Sequence, residues 1–136
     1  MFLDASVIVA NLLEEAEAVA IREALFDENE LVTSPLAMFE ASTRLAAVKR
    51  FSIDDGYRVV QAFMEDANVR VAAIDAEVGR IAHHCAGLYH HSTGHPARLN
   101  MGDCFAYASA RAASLKLAYK GDDFIHTDIE GQRFGS

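Results

Sequence analysis

The sequence predicts an α/β layered fold built on a mainly parallel β-sheet. Short apolar runs of strand length alternate with longer segments of helical period along the 136 residues, an order typical of parallel sheets that are covered by helices. Hydrophobic residues make up 51% of the chain, which allows a packed core without disulfide bonds. We therefore expect residues 1–136 to form a single domain.

The first half of the chain alternates predicted strands with predicted helices. Residues 2–4 are a short apolar run that ends in an acid, which indicates a central strand. Ser34 and Pro35 supply an N-cap and a proline at the first helical position, and Ser52 starts the next helix. The predicted segments are a strand at 2–4, helices at 7–13 and 16–26, a strand at 31–33, a helix at 35–48 and a helix that begins at 52. In the second predicted helix, one stripe along the helix surface is predicted to contain Val19, Ala20, Glu23 and Ala24.

The second half continues the alternation. Asp75 is predicted to cap a helix whose apolar residues recur at helical spacing, and Gly121 breaks the strand that precedes it. The predicted segments are a strand at 69–74, a helix at 76–89, a loop at 90–100, a helix at 102–114 and a strand at 117–119. The residues after 123 are expected to finish the domain without a defined element.

The composition argues against several classes of protein. The net charge of −8 disfavours a broad basic surface for nucleic acid, but it suits an acidic metal site or a basic protein partner. Cys85 and Cys104 lie in apolar patterns, and we expect buried free thiols in a reducing, cytoplasmic compartment. The N-terminus lacks the basic start of a signal peptide, and no apolar run reaches the ~20 residues that span a membrane.

Acidic residues follow the predicted strands at the edge where parallel sheets bind ligands. Asp4 ends the first strand, and Asp122 and Asp123 follow the last predicted strand. Asp103 lies in the first turn of a helix, where the helix dipole favours an anion. Because no His–Cys set accompanies them, clustered carboxylates favour Mg²⁺ or Mn²⁺ and indicate metal-dependent phosphoryl transfer.

Glu40 is a further candidate, placed in the middle of a predicted helix. Its neighbours on that helix are small or apolar, so its carboxylate needs a partner or a metal ion to stay charged. The alternative is a salt bridge to Arg44, four residues further along the helix.

Four acidic motifs occur in order over nearly the whole chain. They are Phe2-Leu3-Asp4-Ala5-Ser6-Val7-Ile8, Ser34-Pro35-Leu36-Ala37-Met38-Phe39-Glu40, Leu99-Asn100-Met101-Gly102-Asp103-Cys104-Phe105-Ala106-Tyr107-Ala108, and Tyr119-Lys120-Gly121-Asp122-Asp123-Phe124 with Thr127-Asp128-Ile129. Together they resemble the motifs of PIN-domain ribonucleases of the VapC toxin type. The resemblance implies a PIN-like α/β/α sandwich, a homodimer, and a toxic metal-dependent endoribonuclease that cuts structured RNA such as transfer RNA.

The resemblance also assigns roles to the acids. It implies that Asp4 and Asp103 are the main ligands of Mg²⁺, with Mn²⁺ as an alternative, and that Glu40 is a ligand or positions water. Asp123 corresponds to the fourth acid of the family, although the adjacent Asp122 is an alternative.

Other residues of the motifs are expected to shape the groove or to meet partners. Ser6 would form hydrogen bonds within the site, and Arg98 and Lys120 are the candidate RNA contacts. Where many relatives have Thr or Ser shortly before the fourth acid, this chain has Tyr119 and Lys120. The resemblance further implies a cognate VapB-like antitoxin whose tail lies over the acidic groove.

Three other hypotheses are weaker. A phosphatase of the haloacid dehalogenase type needs an Asp-x-Asp motif after the first strand, and this chain has Ser6 in place of the second Asp. A non-catalytic PIN-like module would lack one of the acids, and none is missing. A zinc site is disfavoured because His83 and His84 fall off the apolar stripe of their helix and are expected to point to solvent.

Overall fold

The computed structural model describes residues 1–135, in which six helices surround a five-stranded sheet. The elements in chain order are β1 Phe2–Leu3, α1 Ala5–Leu12, α2 Ala18–Phe26, β2 Leu31–Thr33, α3 Pro35–Lys49, α4 Ile53–Asp66, β3 Val69–Val71, α5 Ala76–Tyr89, a 3₁₀ turn His91–Thr93, α6 Met101–Ala112, β4 Leu117–Lys120 and β5 Gly131–Phe134. None of the helices within residues 1–135 combines the length and hydropathy needed to cross a bilayer.

The strands lie in the order β3-β2-β1-β4-β5, and each neighbouring pair is parallel. The predicted mainly parallel sheet is therefore confirmed. Strand β1 lies at the centre of the sheet, as its short apolar sequence predicted. Phe2 pairs with Val32 on one side and with Leu117 on the other.

The two faces of the sheet carry separate cores, because successive strand residues point to opposite sides. Leu3 and Leu31 contribute to the core beneath α1–α4. Phe2 and Val32 contribute to the core beneath α5 and α6, which also contains Cys85. This arrangement confirms the predicted α/β/α sandwich, and both cysteines are free and buried, as predicted.

The predicted N-caps hold the starts of three helices. Ser34 Oγ accepts a hydrogen bond from the Ala37 N–H at 3.1 Å, with Pro35 in the first turn of α3. Ser52 and Asp75 cap α4 and α5 in the same way. These caps fix where the helices begin, because each satisfies a backbone N–H that has no partner within its helix.

The predicted stripe of α2 is wrong. The residues that α2 buries are Ala18, Ile21 and Leu25, whereas Val19 is 64% exposed. Both sets recur at helical spacing, and in a helix of nine residues the sequence pattern does not distinguish between them.

Two strands also differ from the prediction. Strand β3 ends at Val71 rather than residue 74, because the last ladder bond runs from the Ala72 N–H to Thr33 O and the chain then turns towards α5. Strand β5, at Gly131–Phe134, was not predicted, since its first three residues are exposed and show no apolar alternation.

Replacing Gly56 with alanine is expected to destabilise the fold. A Cβ at this position of α4 would lie 2.6 Å from the Ser42 carbonyl oxygen and 3.2 Å from the Ala46 Cβ. We expect the free energy of unfolding in urea to fall by about 1–3 kcal/mol, because the backbone of α3 must move. Gly87→Ala on α5 is the control, since its Cβ would meet nothing within 4 Å; equal stability of the two variants would contradict the prediction.

Candidate active site

A cleft of about 520 Å³ opens where β1 and β4 end. Its wall carries five acids and two basic residues, which are Asp4, Glu15, Glu40, Asp103 and Asp123 with Arg44 and Lys120. The carboxyl ends of parallel strands are the edge at which α/β sheets bind ligands. The structure thus brings four of the predicted acids to one cleft.

Asp4 is buried at the N-terminus of α1 and is held there by Ser6. The backbone N–H and the hydroxyl of Ser6 both donate to Asp4 Oδ2, at 3.1 and 2.5 Å. The Ser6 hydroxyl oxygen in turn accepts the Lys120 N–H at 3.0 Å, which ties the site to the end of β4. Burial raises the pKa of Asp4, and the hydrogen bonds from Ser6 oppose that rise. These hydrogen bonds hold the Asp4 carboxylate in its orientation at the end of β1.

Glu40 extends from the middle of α3 towards the first turn of α6. A Cβ on Gly102 would lie 2.5 and 2.7 Å from the two Glu40 carboxylate oxygens, so any larger residue would require the Glu40 carboxylate to move. Burial, and then the charge of Asp4, raise the pKa of Glu40 to about 7. Within residues 1–135 no ion pair joins Glu40 to Arg44, so the salt bridge offered as the alternative is not formed.

Asp103 is fixed by a reciprocal capping box at the start of α6. Its Oδ2 accepts the Asn100 N–H at 3.0 Å, while Asn100 Oδ1 accepts the Asp103 N–H at 2.9 Å. Burial raises the pKa of Asp103 to about 7; the Asn100 N–H opposes that rise, and the nearby charges of Asp123, Asp4 and Glu40 add to it. These three charges act on Asp103 because all four acids line the same cleft.

The two candidates for the fourth acid lie in different surroundings. Asp123 lines the cleft, and its charge contributes to the raised pKa of both Asp4 and Asp103. The carboxylate of Asp122 instead forms an ion pair with Arg133 of β5. Of this pair, Asp123 is the acid that the structure groups with the other cleft residues.

The two predicted RNA contacts are also placed differently. Lys120 lines the cleft, but its ammonium pairs with Glu15 and with Glu17, the latter at 3.0 Å. Hydrogen bonds to these glutamates raise the pKa of Lys120. Arg98 lies in the loop before α6, with an exposed side chain, and is not part of the cleft wall.

Sequence reasoning missed three contributors to the cleft. Gly102 was quoted in the third motif but not recognised as the residue that makes room for Glu40. Arg44 was not among the predicted site residues, although it lines the cleft. Glu15 lies at the turn between α1 and α2 and carries no local signal of its own.

The donor chemistry of the cleft fits a hard divalent cation. Within residues 1–135, no group of three His, Cys, Asp or Glu side chains is arranged closely enough to hold a metal ion. The acids are nevertheless oxygen donors of the type that Mg²⁺ and Mn²⁺ prefer. The raised pKa values of Asp4, Glu40 and Asp103 reflect the free energy required to charge them together, which a cation would lower. His83 and His84 are exposed, as predicted.

Comparisons with known proteins agree on one family. The model of the PIN domain family matches residues 1–130. The chain is 37% identical to a VapC ribonuclease of Rhizobium meliloti, with 94% of this chain and 98% of that protein covered.

Solved structures show the same fold at lower sequence identity. VapBC2 from Rickettsia felis, bound to a DNA fragment from their promoter, matches with a TM-score of 0.71 at 12% identity, covering 98% of this chain and 97% of that chain. Mycobacterium tuberculosis VapC20, a Sarcin-Ricin loop cleaving toxin, matches with a TM-score of 0.66 at 19% identity over 90% of each chain.

In the absence of divalent cations, the protein should lose thermal stability as the pH rises towards 7. The pKa of Glu40 and that of Asp103 are about 7 in the folded protein, above their ordinary values of 4.5 and 3.8. Between those values the folded state binds more protons than the unfolded state, so the free energy of unfolding falls with rising pH and levels off above 7. We expect a lower Tm in EDTA at about pH 8 than at about pH 5.

The control for this pH dependence is the double variant Glu40→Gln with Asp103→Asn. Because neither replacement titrates, the fall in Tm between the two pH values should be clearly smaller than in the parent. An equally steep fall in the double variant would show that other groups cause it.

Proposed function

Because the chain belongs to the PIN domain family, and within it to the VapC ribonucleases, we propose that its acidic cleft hydrolyses RNA. The protein is an endoribonuclease of the toxin type, and the PIN domain model matches residues 1–130. The observation that supports this assignment most directly is the presence of Asp4, Glu40, Asp103 and Asp123 in one cleft. Clustered carboxylates can bind a divalent cation, and this cation offsets the negative charge of a phosphodiester.

The metal ion of this site is proposed to be Mg²⁺, with Mn²⁺ as an alternative. Asp4, Asp103 and Asp123 would hold it, and Glu40 would either bind it or orient the attacking water. When bound, such an ion lowers the pKa of a water molecule and offsets the negative charge that builds up on the phosphate.

The remaining residues of the site act by holding the acids in place. Ser6 fixes the orientation of Asp4 through two hydrogen bonds. Asn100 donates its backbone N–H to one oxygen of Asp103 and so holds this side chain in the wall of the cleft. Such preorganisation matters because small displacements of a catalytic group reduce rates strongly.

We further propose a structured RNA such as transfer RNA as the substrate. The structural neighbour VapC20 is a Sarcin-Ricin loop cleaving toxin. Its identity to this chain is 19%, so the particular RNA is not carried over. We place the reaction in the cytoplasm, where the free thiols of Cys85 and Cys104 would stay reduced.

The proposed partners are a VapB-like antitoxin and a second copy of the chain. A toxin–antitoxin complex from Klebsiella pneumoniae contains a chain of the same fold. The net charge of −8 and the acidic cleft favour a basic antitoxin segment that covers the site. A homodimer is proposed from the family resemblance.

The direct test is cleavage of transfer RNA by the purified protein with Mg²⁺. Asp103→Asn and Asp123→Asn should each lower the rate at least about 100-fold, because each loses several kcal/mol of transition-state stabilisation. EDTA should abolish cleavage, and added Mg²⁺ should restore it. Asp122→Asn is the matched control, since this acid pairs with Arg133 outside the cleft wall.

Two outcomes would contradict these assignments. Full activity of Asp103→Asn would show that the cleft is not the active site. Loss of activity in Asp122→Asn, with Asp123→Asn unaffected, would make Asp122 the fourth acid.

Gly102→Ala tests the placement of Glu40. The added Cβ would lie within 2.7 Å of both Glu40 carboxylate oxygens, so the flexible side chain must move away. We expect RNA cleavage to fall by about 10–100-fold, as misplacement of a catalytic group predicts. The free energy of unfolding of this variant should be equal to or higher than that of the parent, because alanine favours a helix over glycine by about 1 kcal/mol.

The control for Gly102→Ala is Gly79→Ala in α5, whose Cβ would meet nothing within 4 Å. It should leave the cleavage rate unchanged. A Gly102→Ala protein that is stable and cleaves at the parent rate would mean that the contact with Glu40 does not matter for the reaction.

A further inference from the structure

The positive charges of this chain are largely neutralised by its own acids. Eight of the twelve Lys and Arg side chains form ion pairs with carboxylates. The four that form none among residues 1–135 are Arg44, Lys49, Arg50 and Arg98. Of these four, Arg44 alone lines the acidic cleft.

Lys120, the other basic residue of the cleft wall, is held by the fold. Its ammonium pairs with two carboxylates, those of Glu15 and Glu17, and its side chain is only 24% exposed. Together, this ammonium and the two carboxylates carry a net negative charge. Lys120 therefore offers no excess positive charge to a polyanion, and its role is to tie the turn after α1 to the end of β4.

Arg44 lies one helical turn after Glu40 on α3, about 6 Å along the helix axis. The carboxylate of Glu40 packs against Gly102 of α6 rather than turning back to Arg44. Arg44 is exposed, and within residues 1–135 it is paired with no acid, although Glu40 is its neighbour in the helix. Among the residues that the structure describes, no ion pair or side-chain hydrogen bond uses this positive charge.

We propose that Arg44 binds a backbone phosphate of the RNA substrate, next to the one that is cleaved. This inference rests on the proposed function, because it takes the acidic cleft as the place of the scissile phosphate. A guanidinium presents a planar set of N–H donors that matches two phosphate oxygens at once. In a wall with five acids, a cation at this position also offsets repulsion between the protein and the approaching RNA.

The test measures binding of a short single-stranded RNA by fluorescence anisotropy over a range of salt concentrations. All variants are made in the Asp103→Asn background, so that the RNA stays intact. Arg44→Gln should raise Kd about five- to tenfold. It should also lower the slope of log Kd against log salt by about 0.7, the value for one lost phosphate contact on a single strand.

Matched variants separate a local contact from a general effect of charge. Lys49→Gln removes the same charge from the same helix, away from the cleft, and should change Kd and the salt slope little. Arg44→Lys keeps the charge but not the planar donors, so its affinity should be intermediate with the salt slope retained. In the active protein, Arg44→Gln should raise KM by a similar factor and leave kcat within about twofold.

Equal effects of Arg44→Gln and Lys49→Gln on Kd and slope would overturn the inference. An unchanged Kd in Arg44→Gln would overturn it as well. The proposed function is tested separately by cleavage with the parent protein. A parent that binds RNA through Arg44 but does not cut it would refute the proposed function and leave the Arg44 contact standing.

Discussion

The position of β1 between β2 and β4 determines where the carboxylates of the cleft lie. This strand has two residues, and Phe2 pairs with both neighbouring strands. Asp4 follows at once and caps α1, so it has no freedom to leave the end of the sheet. Because the strands are parallel, β4 ends at the same edge and brings Asp123 to the same cleft. The shortest strand therefore has the largest influence on the site.

Grouping buried acids in this way has a physical cost that the rest of the fold must accommodate. Each carboxylate loses hydration on burial and meets the field of the others, and both effects favour the protonated form. The fold offsets part of this cost with hydrogen bonds, from Ser6 to Asp4 and from Asn100 to Asp103. Glu40 has only the space that Gly102 leaves for it. The hydrogen bonds do not offset all of the repulsion between the carboxylates, so the cleft favours the binding of a cation. This preference links the fold to the proposed chemistry.

The features that sequence reasoning predicted are those with local causes. The caps at Ser34 and Asp75 depend on residues three positions apart, and four of the five cleft acids belong to motifs that are contiguous in the chain. The fourth acid depends instead on β5, whose exposed residues gave no strand pattern. Arg133 of that strand pairs with Asp122, whereas Asp123 lines the cleft. The sequence did not predict this strand, and therefore it did not predict the ion pair between Arg133 and Asp122. The choice between Asp122 and Asp123 consequently stayed open at the level of sequence.

The same pattern of pairing bears on how an acidic protein can act on a polyanion. With a net charge of −8 and most cations already paired, the chain has little positive surface to release counterions from RNA. Binding energy that does not depend on sequence must therefore be small, and it must be concentrated near the cleft, where Arg44 lies. An enzyme that holds RNA by few charges cannot select its substrate by general affinity. If the proposed structured RNA is the substrate, selectivity has to come from its fit to the walls of the cleft, since shape, unlike charge, distinguishes one polyanion from another.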